Sequence, residues 1–383
     1  MSFSTTESLI QQIHASPTRV VLATTGGGSD AIAQLLRVAG ASRTMLEARV
    51  PYVDTAVCDL LGARPEHFCS ARTARAMAMA SFQRARGLVA GSETPLAGIA
   101  CTASLASDRA KRGPHRAHVA VQTAAYTLTA TLELTKGQRS RAEEEQLVSQ
   151  LVLNHLAIAC DVQQQLPLKL LADEQVQSTR TDAQPQWRDL LLGQVEAVRG
   201  GDPSACQKQP RPAVIFPGAF NPLHQGHRRM AQAAEELLGQ QVEFELSIEN
   251  VDKPPLDYTE IQHRIAQFSA QQTVWLTRAA TFRQKSGIFP GATFVAGTDT
   301  IARIAELAYY NNDEAARHTA LQAIIQNGCR LLVFGRLGAT GFESLSDLEL
   351  SPELLQICQQ VPAEKFRMDI SSTELRRAGK PHD

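Results

Sequence analysis

Apolar positions in the first half of the chain follow strand and helix spacings in turn. Residues 20–23 are a continuous apolar run that predicts a strand, and residues 31–38 carry apolar side chains at helical spacing. The stretch between them, residues 24–30, contains three consecutive glycines and predicts a tight loop. Ser140 and Glu143 have the spacing of a capping box, so a long helix is predicted to begin there.

After Pro212 the pattern becomes regular, with short β-rich runs alternating with helical stretches. Such alternation is typical of a parallel sheet with helices on its faces. The predicted strands cover residues 213–216, 242–248, 273–276, 293–296, 331–334 and 366–370. We therefore expect an α/β fold whose second part is a doubly wound, Rossmann-like parallel sheet.

Length and composition indicate two domains. A chain of 383 residues exceeds a single folding unit of about 150 residues. Residues 166–211 are rich in Gln, Asp, Arg, Gly and Pro, a composition typical of a partly mobile connector, with one short apolar stretch at residues 190–192 that could form a helix. We predict an α/β domain over residues 1–165, a connector over 166–211 and the doubly wound domain over 212–383.

Charge and cysteine usage exclude several classes of protein. The 38 basic and 39 acidic residues leave a formal net charge of −1, so no overall field attracts nucleic acid or an anionic membrane. The seven cysteines form no Cys-x-x-Cys pair, which argues against a disulfide framework. No apolar run reaches the roughly 18 residues of a membrane span, and the start lacks a secretion signal. We expect an enzyme or binding protein of the cytoplasm; its oligomeric state stays open.

The segment after the first predicted strand of the second domain carries the candidate chemistry. It reads Gly218-Ala219-Phe220-Asn221-Pro222-Leu223-His224-Gln225-Gly226-His227 and leads into a helix. Ligands of open α/β sheets bind beyond the carboxyl ends of the strands, and helix N-termini favour phosphate. His224 and His227 can both donate hydrogen bonds to one anion. A zinc site is not expected at these two histidines, because no further Cys or His lies near them in sequence.

This Gly-x-Phe-x-Pro-x-His-x-Gly-His pattern resembles the first signature of the HxGH nucleotidylyltransferase superfamily. The superfamily includes nicotinamide-mononucleotide and pantetheine-phosphate adenylyltransferases. Its second signature, of the form ISSTxxR, has a counterpart near the end of the chain in Ile370-Ser371-Ser372-Thr373-Glu374-Leu375-Arg376. The resemblance covers about residues 212–383.

The resemblance implies a reaction and a set of roles. A phosphate oxygen of an acceptor attacks the α-phosphorus of ATP, which carries Mg²⁺, and pyrophosphate leaves without a covalent enzyme intermediate. Catalytic roles fall to His224, His227 and Arg376. Nucleotide binding falls to Gly218, Ala219, Phe220, Gly226, Gly297, Asp299, Ser371, Ser372 and Thr373. Acceptor binding falls to Asn250 and Lys253, and no protein side chain is assigned to a metal.

Several of these residues also have simpler explanations. Residues 371–373 could act only as a helix N-cap, and Asp299 could cap a helix at Ile301 instead of touching a ligand. Lys253 could be a solvated loop charge. Arg336 directly follows the predicted strand at residues 331–334, and the sequence leaves open whether its side chain faces the site.

The first half resembles the CinA C-terminal domain family, some members of which deamidate nicotinamide mononucleotide. The matching stretches are Thr25-Gly26-Gly27, Gly40-Ala41-Ser42, Tyr52, Leu60-Leu61-Gly62 and Gly98-Ile99-Ala100. Where the deamidases carry an acidic residue and a serine, this chain has Leu22-Ala23-Thr24, and Cys101-Thr102-Ala103-Ser104 replaces their glycine-rich segment. We therefore expect little deamidation, unless Thr24, Thr25 or Ser29 substitutes; a ligand-binding or scaffolding role is at least as well supported.

Taken together, these patterns predict an adenylyltransferase that uses ATP and a small phosphorylated acceptor. Nicotinamide mononucleotide is the favoured acceptor, because both resemblances lead to proteins that handle it. Another phosphate monoester, such as phosphopantetheine, is the alternative within the same chemistry. The alternative outside enzymology is a regulator that binds pyridine nucleotides through a degenerate amidase-like domain.

Overall fold

Two large β-sheets organise the described part of the chain. The computed structural model describes residues 5–89, 91, 93–108, 112–200, 214–249, 255–338, 341–362 and 364–366. Contacts between Cα atoms group residues 1–184 with 252–260 as a first unit, and residues 185–251 with 261–383 as a second. Among the described residues, no helix is both long and apolar enough to cross a membrane.

The first unit is a mixed sheet with helices on both faces. Its helices are α1 (Thr5–Ala15), α2 (Asp30–Arg37), α3 (Ala41–Thr44), α4 (Asp54–Leu61), α5 (Ala71–Leu88) and α6 (Arg141–Ala159). Its strands are β1 (Arg19–Thr25), β2 (Met45–Arg49), β3 (Leu96–Ser104), β4 (His115–Thr123), β5 (Tyr126–Leu134) and β6 (Val176–Asp182). The described strands have the order β2-β1-β3-β4-β5-β6. β1 is parallel to both of its neighbours, and the remaining pairs are antiparallel.

Apolar side chains alternate between the two faces of this sheet, as strand geometry requires. Leu22 and Val119 pack with Leu151 of α6 and with residues of α1 and α2 on one face. The other face packs against α4 and α5. Here α5 approaches very closely, because a Cβ atom on Gly98 would lie 2.1 Å from the carbonyl oxygen of Ala78.

The second unit is a largely parallel sheet. Its helices are α7 (Pro185–Leu192), α8 (Gln225–Leu238), α9 (Tyr258–Ile265, whose first residues group with the first unit), α10 (Phe282–Ile288), α11 (Thr298–Ala305), α12 (Glu314–Gln326) and α13 (Pro352–Ile357). The sheet strands are β7 (Ala197–Gly200), β8 (Val214–Pro217), β9 (Val242–Ser247), β10 (Val274–Thr277), β11 (Thr293–Gly297), β12 (Arg330–Phe334) and, after a hairpin of β13 (Arg336–Gly338) and β14 (Gly341–Glu343), β15 (Cys358–Gln360).

The strand order identifies where a ligand would bind. Within the described residues it is β15-β12-β11-β8-β9-β10-β7, and only β7 is antiparallel to its neighbour. From β8 the chain first proceeds to β9 and β10 on one side, and then crosses to β11 and β12 on the other. The direction therefore reverses between β8 and β11, and open α/β sheets bind ligands at such a switch point. The predicted α/β fold class, with a doubly wound second sheet, is confirmed.

Over its described part, residues 166–200, the predicted connector contains two strands and a helix, and the helix includes the apolar residues 190–192. β6 extends the first sheet, while α7 and β7 belong to the second unit. Both strands lie at a sheet edge, and most of β6 is exposed. An exposed edge strand does not need alternating apolar side chains, so the hydrophobic pattern does not reveal it. Predicted strand 366–370 lies outside the described residues except for Phe366, which is not in a strand.

Candidate functional site

The loop between β8 and α8 packs around Phe220. The Phe220 ring is 1% exposed and makes edge contacts with Phe216 and Phe244. Its φ angle of +42° lies in the left-handed region, which side chains other than glycine seldom adopt. Gly218 is required beneath this ring, because a Cβ there would lie 2.5 Å from the Phe220 Cζ. The loop conformation is therefore set by a buried aromatic ring and one glycine.

The two histidines form the N-terminal cap of α8. His224 is the N-cap residue, and its Nδ1 accepts a hydrogen bond from the Gly226 amide at 3.1 Å. His227 is the third helical residue, and its Nδ1 accepts one from the His224 amide at 3.2 Å. The spacing His-x-x-His is thus the reciprocal arrangement of a capping box. It brings the rings into a stack whose centroids are 3.7 Å apart.

This arrangement fixes the protonation of both rings. Since each Nδ1 accepts a proton from an amide, the neutral form of each ring carries its own proton on Nε2. Burial lowers the pKa of His227 to about 3, helped by the neighbouring His224, and burial also lowers the pKa of His224. At neutral pH the stack is therefore two uncharged rings with Nε2–H donors, which a phosphate oxygen can accept.

Two residues that the sequence analysis did not identify form hydrogen bonds with backbone groups of this loop. The Arg264 Nη1 donates to the carbonyl oxygen of Ala219 at 3.0 Å, and the guanidinium is buried. The side chain of Gln267 donates to the carbonyl oxygen of Phe220 and accepts from the amide of Leu223. Both lie in or just after α9, more than 40 residues along the chain, and no motif marks them.

The start of α11 lies on the other side of the switch point. Gly297 is the N-cap residue, with no side-chain cap, and Asp299 lies inside the first turn. Asp299 is therefore not the N-cap, and its carboxylate pairs with Nη1 of Arg336 at the start of β13. The hydroxyl of Thr298 is buried without a hydrogen-bond partner in the part of the chain that the structure describes.

The strand pairing brings these two segments to one sheet edge. β8 and β11 are adjacent and parallel, with Val214 opposite Thr293, so their carboxyl ends lie side by side. The predicted residues at this edge are Gly218, Ala219, Phe220, His224, Gly226, His227, Gly297 and Asp299. The predicted residues Asn250, Lys253, Ser371, Ser372, Thr373 and Arg376 lie outside the described residues.

In the first unit, the glycine-rich loop after β1 already holds an internal anion. The carboxylate of Glu145 accepts hydrogen bonds from the amides of Gly28 and Asp30 and from the hydroxyl of Ser29, at 3.0 to 3.1 Å. Thr24 and Thr25 are buried. The hydroxyls that were candidates to replace a nucleophilic serine are therefore buried or bonded to Glu145.

Comparison with known protein families finds a match in the second half of the chain. The cytidylyltransferase-like family matches residues 215–378, a stretch that includes β8, both histidines and the start of α11. This stretch is similar to the cytidylyltransferase-like family. The resemblance predicted for the second half of the chain is thereby confirmed, and the family supports nucleotidyltransferase chemistry.

Solved structures similar to this chain belong to the CinA group and cover its N-terminal part. The competence/damage-inducible protein CihA from Agrobacterium tumefaciens is 21% identical, with a TM-score of 0.33, over 42% of this chain and 99% of its own. A CinA superfamily protein from Escherichia coli is 15% identical, with a TM-score of 0.32, over 42% of this chain and 94% of its own. No curated protein matches the chain.

Proposed function

We propose that the cytidylyltransferase-like domain transfers an adenylyl group from MgATP to a small phosphorylated acceptor, with nicotinamide mononucleotide favoured. The observation that carries this proposal is the stacked pair of neutral imidazoles at the start of α8. Two Nε2–H donors and a helix N-terminus at a switch point suit a polyphosphate. The choice of acceptor rests on the two family resemblances of the sequence.

In the proposed reaction, an oxygen of the acceptor phosphate forms a bond to the α-phosphorus of ATP. The bond from that phosphorus to the oxygen bridging to the β-phosphate breaks, and pyrophosphate leaves with the electron pair. His224 and His227 stabilise the negative charge that builds on the phosphate oxygens. Because each Nδ1 already accepts from a backbone amide, each neutral ring presents its Nε2–H as the donor to these oxygens.

Mg²⁺ enters this scheme as part of the substrate MgATP, bound by phosphate oxygens. Among the predicted site residues at the described sheet edge, Asp299 is the one that carries a carboxylate. It is already paired with the guanidinium of Arg336. We therefore assign no protein ligand to the metal.

For the first unit we propose a scaffolding or ligand-binding role without amidase chemistry. Glu145 fills the place at the glycine-rich loop where backbone amides would otherwise bind an anion. Incubation of the purified chain with nicotinamide mononucleotide should release no ammonia above the level of a heat-inactivated sample. Steady, enzyme-dependent ammonia release would contradict this part of the proposal.

The direct test of the second unit measures pyrophosphate. The purified chain is incubated with MgATP or MgCTP and, in separate reactions, nicotinamide mononucleotide, phosphopantetheine or no acceptor. We expect rapid release only with ATP and nicotinamide mononucleotide together. Release with phosphopantetheine alone would reassign the acceptor, and nucleotide binding without release in any reaction would favour a regulator.

A further inference from the structure

We infer that Gln267 is a positioning residue for the reaction, which fixes the histidine-bearing loop through both ends of its side-chain amide. The kinetic part of this inference rests on the proposed function. Its Nε2 donates to the carbonyl oxygen of Phe220 at 3.0 Å, and its Oε1 accepts from the amide of Leu223 at 2.8 Å. One side chain thus bridges the loop on both sides of residues 221 and 222.

The Gln267 bridge contacts the loop at Phe220, whose backbone conformation is unfavourable. Phe220 has a positive φ angle, and residues in this region keep such a conformation only when their surroundings enforce it. The carbonyl of Ala219 is held by Arg264, and the carbonyl of Phe220 is held by Gln267. Loss of the Gln267 contact removes one of these two hydrogen bonds to the backbone around Phe220.

The other end of the bridge leads directly to the histidines. Leu223, whose amide Gln267 binds, immediately precedes His224. The amide of His224 in turn donates to Nδ1 of His227. A shift of residue 223 would therefore move the N-cap residue and change the ring stack. Misplacement of catalytic groups by about 1 Å can lower a rate by roughly 100-fold.

The substitution Gln267→Glu separates hydrogen bonding from mere space filling, because the two side chains have nearly the same shape. An ionised carboxylate can still accept from Leu223, but it cannot donate to the carbonyl of Phe220 and would repel it. Protonation of the new carboxyl restores a donor. The carbonyl oxygen of Phe220 opposes the ionised form, whereas the Leu223 amide and the guanidinium groups of Arg228 and Arg264 favour it. The defect therefore follows the fraction of this carboxyl that is ionised at each pH.

The expected result is a pH-dependent defect. At pH 8 the kcat of Gln267→Glu should be about 10- to 100-fold below that of the wild type, with KM for ATP changed much less. The ratio of variant to wild-type kcat should rise steadily as the pH falls to 5.5. Burial lowers the pKa of both histidines, and the ratio to the wild type at each pH removes any titration that the two proteins share. Gln267→Met can neither donate a hydrogen bond nor titrate, so its ratio of variant to wild-type kcat should be low and should not change with pH.

Gln272→Glu is the matched control. The described side-chain contacts of Gln272 use only its Oε1, which accepts from the amide and hydroxyl of Ser269 and from Arg228, and a carboxylate serves equally well there. Its kcat should equal that of the wild type at every pH. Circular dichroism of each variant at both pH values checks that the chain is folded.

A second readout does not depend on activity. In the nucleotide-free protein, the imidazole NMR signals of His224 and His227 should shift in Gln267→Glu at pH 8 and return toward the wild-type positions at pH 5.5. Unchanged signals and a wild-type kcat at pH 8 would overturn the inference. If the wild type itself releases no pyrophosphate, the proposed function fails, while the NMR comparison still decides the role of Gln267.

Discussion

The rings of His224 and His227 stack with their centroids 3.7 Å apart and their planes 24° from parallel. Two imidazolium cations at this separation would repel each other strongly in a half-buried site. The free protein therefore keeps the pair neutral, with both Nδ1 atoms engaged by backbone amides. A bound polyphosphate would supply negative charge at the opposite ring edges and make protonation easier.

This relationship predicts how His227 titrates. Burial and His224 lower the pKa of His227 from an ordinary 6.5 to about 3, so its NMR signals should not titrate between pH 8 and pH 4.5. Addition of inorganic triphosphate should raise its pKa. A midpoint above pH 6 in the free protein would contradict the described burial of the ring.

The same shift predicts a pH effect on stability. Between pH 6.5 and about 3 the unfolded chain binds a proton at residue 227 that the folded chain does not. The free energy of unfolding should therefore fall as the pH is lowered through this window. His227→Gln should show a smaller fall than the wild type in urea unfolding at pH 7 and pH 5. An identical pH dependence in the two proteins would argue against a depressed pKa.

Gly218→Ala should disrupt the loop. The added Cβ would lie 2.5 Å from the Phe220 ring, which is fully buried and cannot move aside. Overpacking of this kind costs about 1–3 kcal/mol, and pyrophosphate release should fall with it. Gly287→Ala in α10 is the control, because no atom lies within 4 Å of its added Cβ and alanine favours helix. Equal behaviour of the two variants in urea unfolding and in the pyrophosphate assay would contradict the described packing.

In the first unit, Gly98→Ala and Gly87→Ala should have opposite effects. The Cβ added at Gly98 would lie 2.1 and 2.2 Å from backbone atoms of α5, so the free energy of unfolding should fall by about 3 kcal/mol. Gly87 is in α5 with no atom within 4 Å, and alanine there should stabilise by about 0.5–1 kcal/mol. Urea unfolding followed by circular dichroism measures both changes. A destabilised Gly87→Ala or a neutral Gly98→Ala would show that α5 packs differently.

The sequence predicted those parts of the fold that depend on local patterns. Ser140 and Glu143 do form a capping box at the start of α6, because both partners lie within one helical turn. The strand, loop and helix around the two histidines also agree with the apolar runs. The edge strands β6 and β7 were not predicted, since their pairing depends on the neighbouring strands.

The supporting contacts of the candidate site could not be predicted in this way. Gln267 reaches residues 44 and 47 positions earlier, and glutamine is an ordinary surface residue with no spacing that signals such a role. Glu145 likewise bonds to a loop more than 100 residues earlier. Contacts across such separations arise from packing of whole elements, which single-residue patterns do not encode.

The most direct test of the whole account is the rate of pyrophosphate release from MgATP with nicotinamide mononucleotide, compared between the wild type and His227→Ala. Loss of this donor should lower kcat by about 100- to 1,000-fold, since removal of one hydrogen-bond donor that stabilises transition-state charge has an effect of this size. Loss of the capping hydrogen bond should lower the free energy of unfolding by only about 1 kcal/mol, so circular dichroism should show a folded chain. A His227→Ala protein that turns over at close to the wild-type rate would contradict the central role given to the stacked histidines.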